Sequence, residues 1–328
     1  MVRFGVGVCA QLGPVVEELG PSAVLLVADA NVRELHPPPL DAPVVPIPPG
    51  ERWKSLESWR GLLDRFVEHG LDRDALVVAY GGGVVCDLAG FAAASYLRGV
   101  RWIAVPTTLL AQVDAAHGGK TGVDHPAAKN LVGAFHPPVE VLVDPGFLST
   151  LPERELSSGL AEVVKHGVIG APSLLERVGV EEPGGFVEQA ARVKLSIVAR
   201  DPKEQGERRL LNLGHTLGHA VEHASGFALH HGEAVAVGLR AACRIAERHC
   251  GFEQRALVEQ ALDRCGLPAT AAVEQDAVLQ ALGHDKKRAA GRLRWVLPRA
   301  LGDVHVFDDV PDSLVDEAVA DACGEAAG

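Results

Sequence analysis

The chain is 328 residues long, 47% hydrophobic and 23% charged; at about 150 residues per domain this fits two globular domains and excludes a fibre or a disordered tail. Its 31 Lys and Arg against 43 Asp and Glu leave a formal net charge of −12, which argues against nucleic acid as a partner while leaving room for a local basic cluster that holds a small anion. Cys9, Cys86, Cys243, Cys250, Cys265 and Cys323 form no C-x-x-C pair and are expected to be reduced, which points to the cytoplasm. The opening MVRFGVGVCAQLG does not read as a signal peptide, and the apolar stretch from Leu76 to Leu97 is broken by Gly81, Gly82, Gly83, Asp87 and Gly90, so no membrane span is expected.

In chain order, AVLLVAD from Ala23 reads as a buried strand. The stretch from His36 to Gly50 carries Pro37, Pro38, Pro39, Pro43, Pro46, Pro48 and Pro49; it cannot be helical and is expected as an extended connector. From Ser55 to His69, apolar residues at Leu56, Trp59, Leu62, Leu63 and Phe66 have helical spacing. ALVVAY from Ala75, WIAV from Trp102 and Val139 to Val143 are further buried strands. This β/α alternation predicts a parallel, Rossmann-like sheet covered by helices. After Pro145 the pattern turns helical: Pro152 to Ile169, Phe186 to Arg200, Leu210 to His223, His231 to Cys250 and Gln254 to Cys265, with a short hairpin at Trp295 to Leu297 and Val304 to Val306. The expected organisation is an α/β domain over 1–148 and a mostly α-helical domain over 149–328.

Four features carry chemistry. Gly81-Gly82-Gly83-Val84-Val85-Cys86-Asp87 follows a strand and opens a helix, a place where backbone N–H groups and the helix N-terminus receive a pyrophosphate; a tight turn with no ligand is the alternative. His215, His219 and His223 fall at i, i+4 and i+8 on one helix face, and His230-His231-Gly232-Glu233 opens the next helix. Imidazoles one turn apart can share a metal, or one can ligate while the other moves protons. His223 and His230 are read as structural. Gly214 and Gly218 cost helix stability and make sense if another backbone or a ligand comes close. Glu162 and Lys165, one turn apart, are either a local ion pair or a carboxylate ligand with a lysine beside it; Glu/His/His with an open position is the catalytic zinc pattern. Lys120, framed by glycines, and the run Asp285-Lys286-Lys287-Arg288 with Arg292 and Arg294 are cationic clusters suited to phosphate or carboxylate.

The runs GGGVVCDLAGFAAASYLRGVRWIAVPTTLLAQVDAAHGGKTGVDHPAAKNLVGAFHPP, LPERELSSGLAEVVKHGVIG, LLNLGHTLGHAVEH and HHGEAVAVGL resemble the 3-dehydroquinate synthase family, in the family's order and over most of the chain from Pro48 to Gly302. The resemblance implies an NAD-binding α/β domain and a mostly helical domain that holds the metal, with the active site between them. It implies Glu162, His215 and His231 as ligands of Zn²⁺, with Co²⁺ as the alternative. It implies Asp114, Lys120, Asn130, Lys165, Lys194, Arg208, Asn212, His219 and one of Lys286 and Lys287 as contacts to a small phosphorylated sugar acid. Arg98 would reach a neighbouring subunit's site, implying a homodimer. NAD would be held by Asp29, Glu51, Lys54, Gly82, Gly83, Val84, Asp87, Thr107, Thr108 and Lys129, with Phe147 and Thr150 finishing the wall. The implied reaction turns 3-deoxy-D-arabino-heptulosonate 7-phosphate into 3-dehydroquinate and phosphate, in the shikimate pathway. NAD removes and returns hydride at C5, the metal polarises the C5 oxygen, and phosphate leaves by β-elimination. His219 is the candidate for proton transfer, relayed through Glu204 or a water, and Lys120, Lys194 and Arg208 balance anionic charge.

Cys86 stands where the family's turn has glycine, Ala115-Ala116-His117 replaces a Ser-Ser-aliphatic stretch, and the chain is trimmed around the proline-rich loop. Alternatives within the fold are aminodehydroquinate synthase, 2-deoxy-scyllo-inosose synthase and the sedoheptulose 7-phosphate cyclases. Lys194, Arg208, Asn212 and the Lys286-Lys287 pair favour dehydroquinate synthase over the sedoheptulose enzymes but do not separate it from the amino variant. A metal-dependent polyol dehydrogenase would release NADH and need fewer cations, and a non-catalytic paralogue would not need the three ligands.

Overall fold

In the computed structural model the described residues are 1–126, 128–288 and 293–324, with the backbone alone described over 284–288. The chain divides into two compact units, Met1–Pro152 and Glu153–Gly328.

The first unit contains β1 (Val2–Phe4), α1 (Leu12–Leu19), β2 (Val24–Asp29), α2 (Ala30–Leu35), β3 (Val44–Ile47), α3 (Leu56–Glu68), β4 (Leu76–Gly81), α4 (Gly83–Ser95), β5 (Arg101–Pro106), β6 (Lys120–His125), β7 (Ala128–Phe135) and β8 (Glu140–Val143). Six strands form one parallel sheet in the order β1-β8-β5-β4-β2-β3. Every residue of β4 is buried, which is why it reads as an unbroken apolar run rather than an alternating one. Ser55 caps α3 by accepting from the Ser58 N–H at 3.1 Å, and the apolar stripe of that helix buries Leu62 and Phe66. Under one sheet face, Leu12, Val15, Leu26, Val78, Tyr80, Ile103, Leu142 and Phe147 share a core.

The connector expected over 36–50 is corrected in one respect. It contains β3, the sheet's edge strand, with Pro46 exposed. An edge position has no outer neighbour needing the N–H that proline lacks. The antiparallel hairpin β6–β7 was not foreseen. It packs on α4, where Gly90 leaves room for Thr121 and Trp102: a Cβ there would stand 2.9 Å from the Trp102 ring.

The second unit contains α5 (Glu153–Gly170), α6 (Leu174–Arg177), α7 (Val187–Arg200), α8 (His215–Ala224), α9 (His231–Cys250), α10 (Arg255–Arg264), α11 (Gln275–Arg288), the antiparallel hairpin β9 (Trp295–Ala300) and β10 (Asp303–Phe307), and α12 (Asp312–Ala322). The helix expected from Leu210 instead begins at His215. Residues Glu207–Asn212 form a 3₁₀ turn, and Gly214, with φ of 78°, breaks the chain between them. The glycines of α8 answer to a backbone: a Cβ on Gly218 would lie 3.0 Å from the Ala234 carbonyl of α9. A parallel α/β unit followed by a mostly helical unit is the fold class the sequence pattern implied. Among the described residues no helix is long and apolar enough to cross a membrane.

Candidate functional site

In the first unit, β2 leads outward to β3 while β4 leads the other way to β5 and β8. The strand order therefore reverses between β2 and β4, and ligands of open α/β sheets sit beyond the carboxyl ends of the strands at such a reversal. Asp29 ends β2 and Gly81 ends β4; a Cβ on Gly81 would come within 3.2 Å of the Asp29 Cβ. Asp29 also caps α2, accepting from the Asn31 and Val32 N–H groups. The N-terminus of α4 carries no side-chain cap, its N-cap being Gly82, so its first N–H groups and positive dipole end suit a phosphate. Gly83 and Val84 open that helix. Thr108 closes over Gly82, where a Cβ would meet its Cγ2 at 2.8 Å. The neighbouring Thr107 is buried, and its Oγ1 has no hydrogen-bond partner among the described residues. An uncapped helix start beside an orphaned buried hydroxyl fits a polar ligand such as a dinucleotide.

Lys54 gathers several of the expected residues. Its buried ammonium lies 2.5 Å from Asp87 Oδ2 and donates to Asn130 Oδ1 at 2.5 Å, with Glu51 at 4.0 Å. Lys129 stands 3.8 Å from Glu51. Asn130, at φ of 53°, donates its N–H to Asp124. Burial alone would pull the Lys54 ammonium down, but Asp87 and Glu51 outweigh it and hold the pKa above the ordinary lysine value. Phe147 packs edge-on against Tyr80 in the core, and the Thr150 hydroxyl meets His36 Nε2 at 2.7 Å. Asp114 sits in a π-helical turn over Ala111–Ala115, Lys120 opens β6, and Arg98 ends a turn at φ of 69°.

In the second unit, Glu162 comes from the buried middle of α5, while His215 and His231 are the first residues of α8 and α9. Their ligand atoms all lie within 4.8 Å of one another. Glu162 Oε1 is 3.6 Å from His215 Nε2 and 3.4 Å from His231 Nε2. One carboxylate and two imidazoles converging from three helices fit a divalent metal with an open position. Burial, and then the charge of Lys165, drive His215 well below the ordinary histidine pKa, leaving it in the neutral form a ligand needs. Burial also pulls on His231, but hydrogen bonding and charge from Glu162 and Glu222 more than offset it and raise it to about 9.

Around this cluster, Lys165 pairs with Glu162. The His219 ring stands edge-on to His215 with centroids 5.2 Å apart, and 6.3 Å from that of His231. Lys165, Lys194 and Arg208 are all buried cations. Arg208 donates from Nη1 to the Pro202 carbonyl at 2.6 Å, and Asn212 donates to Glu204 Oε1 at 3.2 Å. Glu204 has a φ of 57°. The side chains of Lys286 and Lys287 lie outside the described residues, as does Arg292.

Glu222 was missed in the sequence. Its buried carboxylate lies 4.0 Å from His231 Nδ1, where a carboxylate behind a ligating histidine orients the ring. The available signal was its position two turns after His215 on the same helix face. His230, read as structural, caps α9 in a reciprocal box with Glu233.

Residues 44–158 match the family model described as 3-dehydroquinate synthase N-terminal, and residues 159–288 the one described as 3-dehydroquinate synthase C-terminal. The 3-dehydroquinate synthase of Symbiobacterium thermophilum is 46% identical over 95% of this chain and 95% of its own. That of Halorhodospira halophila is 43% identical over 97% and 95%. Among solved structures, 2-epi-5-epi-valiolone synthase from Streptomyces hygroscopicus subsp. jinggangensis 5008, with NAD⁺ and Zn²⁺ bound, superposes with a TM-score of 0.87 at 29% identity, covering 98% of this chain and 95% of that one. A 2-deoxy-scyllo-inosose synthase complexed with carbaglucose-6-phosphate, NAD⁺ and Co²⁺ gives 0.84 at 27% identity, covering 97% and 95%.

Proposed function

Because the chain belongs to the 3-dehydroquinate synthase family, we propose that it converts 3-deoxy-D-arabino-heptulosonate 7-phosphate to 3-dehydroquinate and phosphate, as a phosphate-eliminating carbon–oxygen lyase of the shikimate pathway. The observation that carries this reading is the convergence of Glu162, His215 and His231, with Lys165 and His219 beside them.

On this reading Glu162, His215 and His231 hold the divalent metal. The α4 N-terminus, with Asp29, Glu51, Lys54, Asp87, Thr107, Thr108, Lys129, Phe147 and Thr150, receives NAD. Bound there, NAD supplies a reversible hydride acceptor for the substrate's C5 and the metal a Lewis acid for its C5 oxygen. His219 moves a proton at that oxygen, with Glu204, held by Asn212, passing it on through water. Lys120, Lys194 and Arg208 balance the charge of the carboxylate and the departing phosphate. Asp114, Asn130, Lys165, Asn212 and one of Lys286 and Lys287 orient the sugar acid. The protein is a cytoplasmic homodimer in which Arg98 reaches the neighbouring subunit's site. A single species at the chain mass of 34.5 kDa in sedimentation would overturn the dimer, and an exported protein on fractionation would overturn the compartment.

The deciding experiment incubates metal-loaded protein with the heptulosonate phosphate and trace NAD, and follows phosphate release with product mass. Phosphate and dehydroquinate without net NADH is the expected result. Sustained stoichiometric NADH would sink the mechanism. Turnover of only sedoheptulose 7-phosphate or the amino substrate would move the chain to another cyclase activity.

A further inference from the structure

His231 is the first residue of its helix, so the direction of its imidazole depends on how the chain enters that helix. Three consecutive residues, His231, Gly232 and Glu233, face α5 in step with Glu162, Ser158 and Arg154. Those three lie four residues apart, on one face of α5. At the outer rung, Arg154 grips Glu233 with two parallel bonds, Nε to Oε1 at 2.7 Å and Nη2 to Oε2 at 2.8 Å. Arg154 Nη2 also reaches the Ala228 carbonyl at 3.3 Å, in the loop before the helix. Glu233 Oε2 accepts from the His230 N–H at 2.8 Å, closing the helix entry from inside. At the middle rung, the Gly232 N–H donates to Ser158 Oγ at 3.0 Å. The two backbones touch there, and a Cβ on Gly232 would overlap the Ser158 main chain. The inner rung is Glu162 with His231.

We propose that the Arg154–Glu233 and Ser158–Gly232 rungs form a clasp that positions His231 against Glu162 as a metal ligand, so that metal affinity depends on two residues that do not touch the metal. The clasp rests on the reading that Glu162, His215 and His231 hold the metal. Arg154 and Glu233 are positioning residues. The fork geometry makes arginine the required partner, because a lysine offers a point charge rather than two parallel donors.

Cobalt tests this, because bound Co²⁺ reports its own coordination in the visible spectrum. The probe is Co²⁺ alone, titrated into the full-length metal-free protein. Glu233→Gln and Arg154→Ala are expected to weaken Co²⁺ binding by about tenfold or more, the usual cost of losing a group that orients a ligand, and to change the ligand-field band. Arg154→Lys should recover only part of the affinity. Arg177→Ala, which breaks a partly exposed ion pair between the end of α6 and Glu181 in the loop after it, should leave both readouts at the parent values. Circular dichroism of each metal-free variant verifies folding, and Arg154→Lys keeps the test decisive should Arg154→Ala not fold. Variants that bind Co²⁺ within about twofold of the parent, with the same band, would overturn the clasp alone. A parent that fails to bind Co²⁺ would overturn the metal reading and the clasp with it.

Discussion

Lys54 shows how one buried residue ties several elements together. Its ammonium joins Asp87 on α4 to Asn130 on β7, and its own carbonyl accepts from the Asp124 N–H of β6 at 2.8 Å. Lys54→Met would leave Asp87 beside the glycine turn without its cation. Removing one partner of a buried pair costs about 3 kcal/mol, which urea denaturation would register. The folded-state pKa is raised, so the stabilisation is fully present below the ordinary lysine value of 10.5 and fades only as pH climbs through the folded value. The loss in Lys54→Met should therefore be flat from about pH 6 to pH 9; a loss that grows across that range would contradict the account. Cysteine chemistry follows the same logic of burial. It pushes Cys9 up to about 11 and Cys243 and Cys265 up to about 12, and it raises Cys86 as well; the half-buried Cys250 and Cys323 are also raised, but less. Because the thiolate is the reactive form, a thiol reagent near neutral pH should label Cys250 and Cys323 first and the other four only after denaturation. Rapid labelling of Cys86 would show that the turn over Gly81 opens. The sequence revealed that Cys86 departs from glycine. It did not reveal that the thiol points inward toward the Gly81 carbonyl, 3.8 Å away, because side-chain direction at a helix start depends on the strand that precedes it.

Between elements, the seam of α8 and α9 fixes where two of the three proposed metal ligands stand. Gly238 of α9 lies directly against the Gly214 carbonyl, with no room for a methyl group. Gly238→Ala is expected to destabilise the protein by about 3 kcal/mol through overpacking and to weaken Co²⁺ binding, since α8 carries His215 and α9 carries His231. Gly61→Ala is the counterpart: a Cβ there meets nothing within 4 Å on α3, so it should stabilise by about 1 kcal/mol through helix propensity. Equal effects from the two substitutions in chemical denaturation would refute the packing argument. The extent of α9 was legible because a polar-to-apolar switch, a capping Glu233 and a closing Gly251 mark its ends in the sequence. The start of α8 was not. Apolar spacing runs on through Leu210, Leu211 and Leu213, and only the left-handed Gly214 stops it. The edge strand hidden among prolines and the β6–β7 hairpin escaped for a related reason. The first is held by its pairing with β2 and the second by its packing on α4, and neither has a periodic signature of its own.

At the scale of the molecule, a net charge of −12 coexists with Lys165, Lys194 and Arg208 buried in the helical unit. Composition argued against a polyanion-binding surface but could not locate cations that folding draws inward. The proposed ligands also divide by unit, the metal in the second and the dinucleotide in the first, so each should stabilise by mass action the elements that hold it. A ligand at a hundred times its Kd adds about 2.7 kcal/mol to the unfolding free energy of what it binds. Hydrogen exchange on metal-free protein should therefore respond in two patterns. Zn²⁺ or Co²⁺ alone should slow exchange in α5, α8 and the first turn of α9, where the proposed ligands sit. NAD alone should slow it at the start of α4 and at the ends of β2 and β4, where the sheet order reverses. Protection spread evenly over both units by either ligand alone would mean that the units unfold as one cooperative body. Protection by NAD confined to the helical unit would remove the dinucleotide from the glycine turn altogether, because the uncapped α4 N-terminus is the feature that assigns it there.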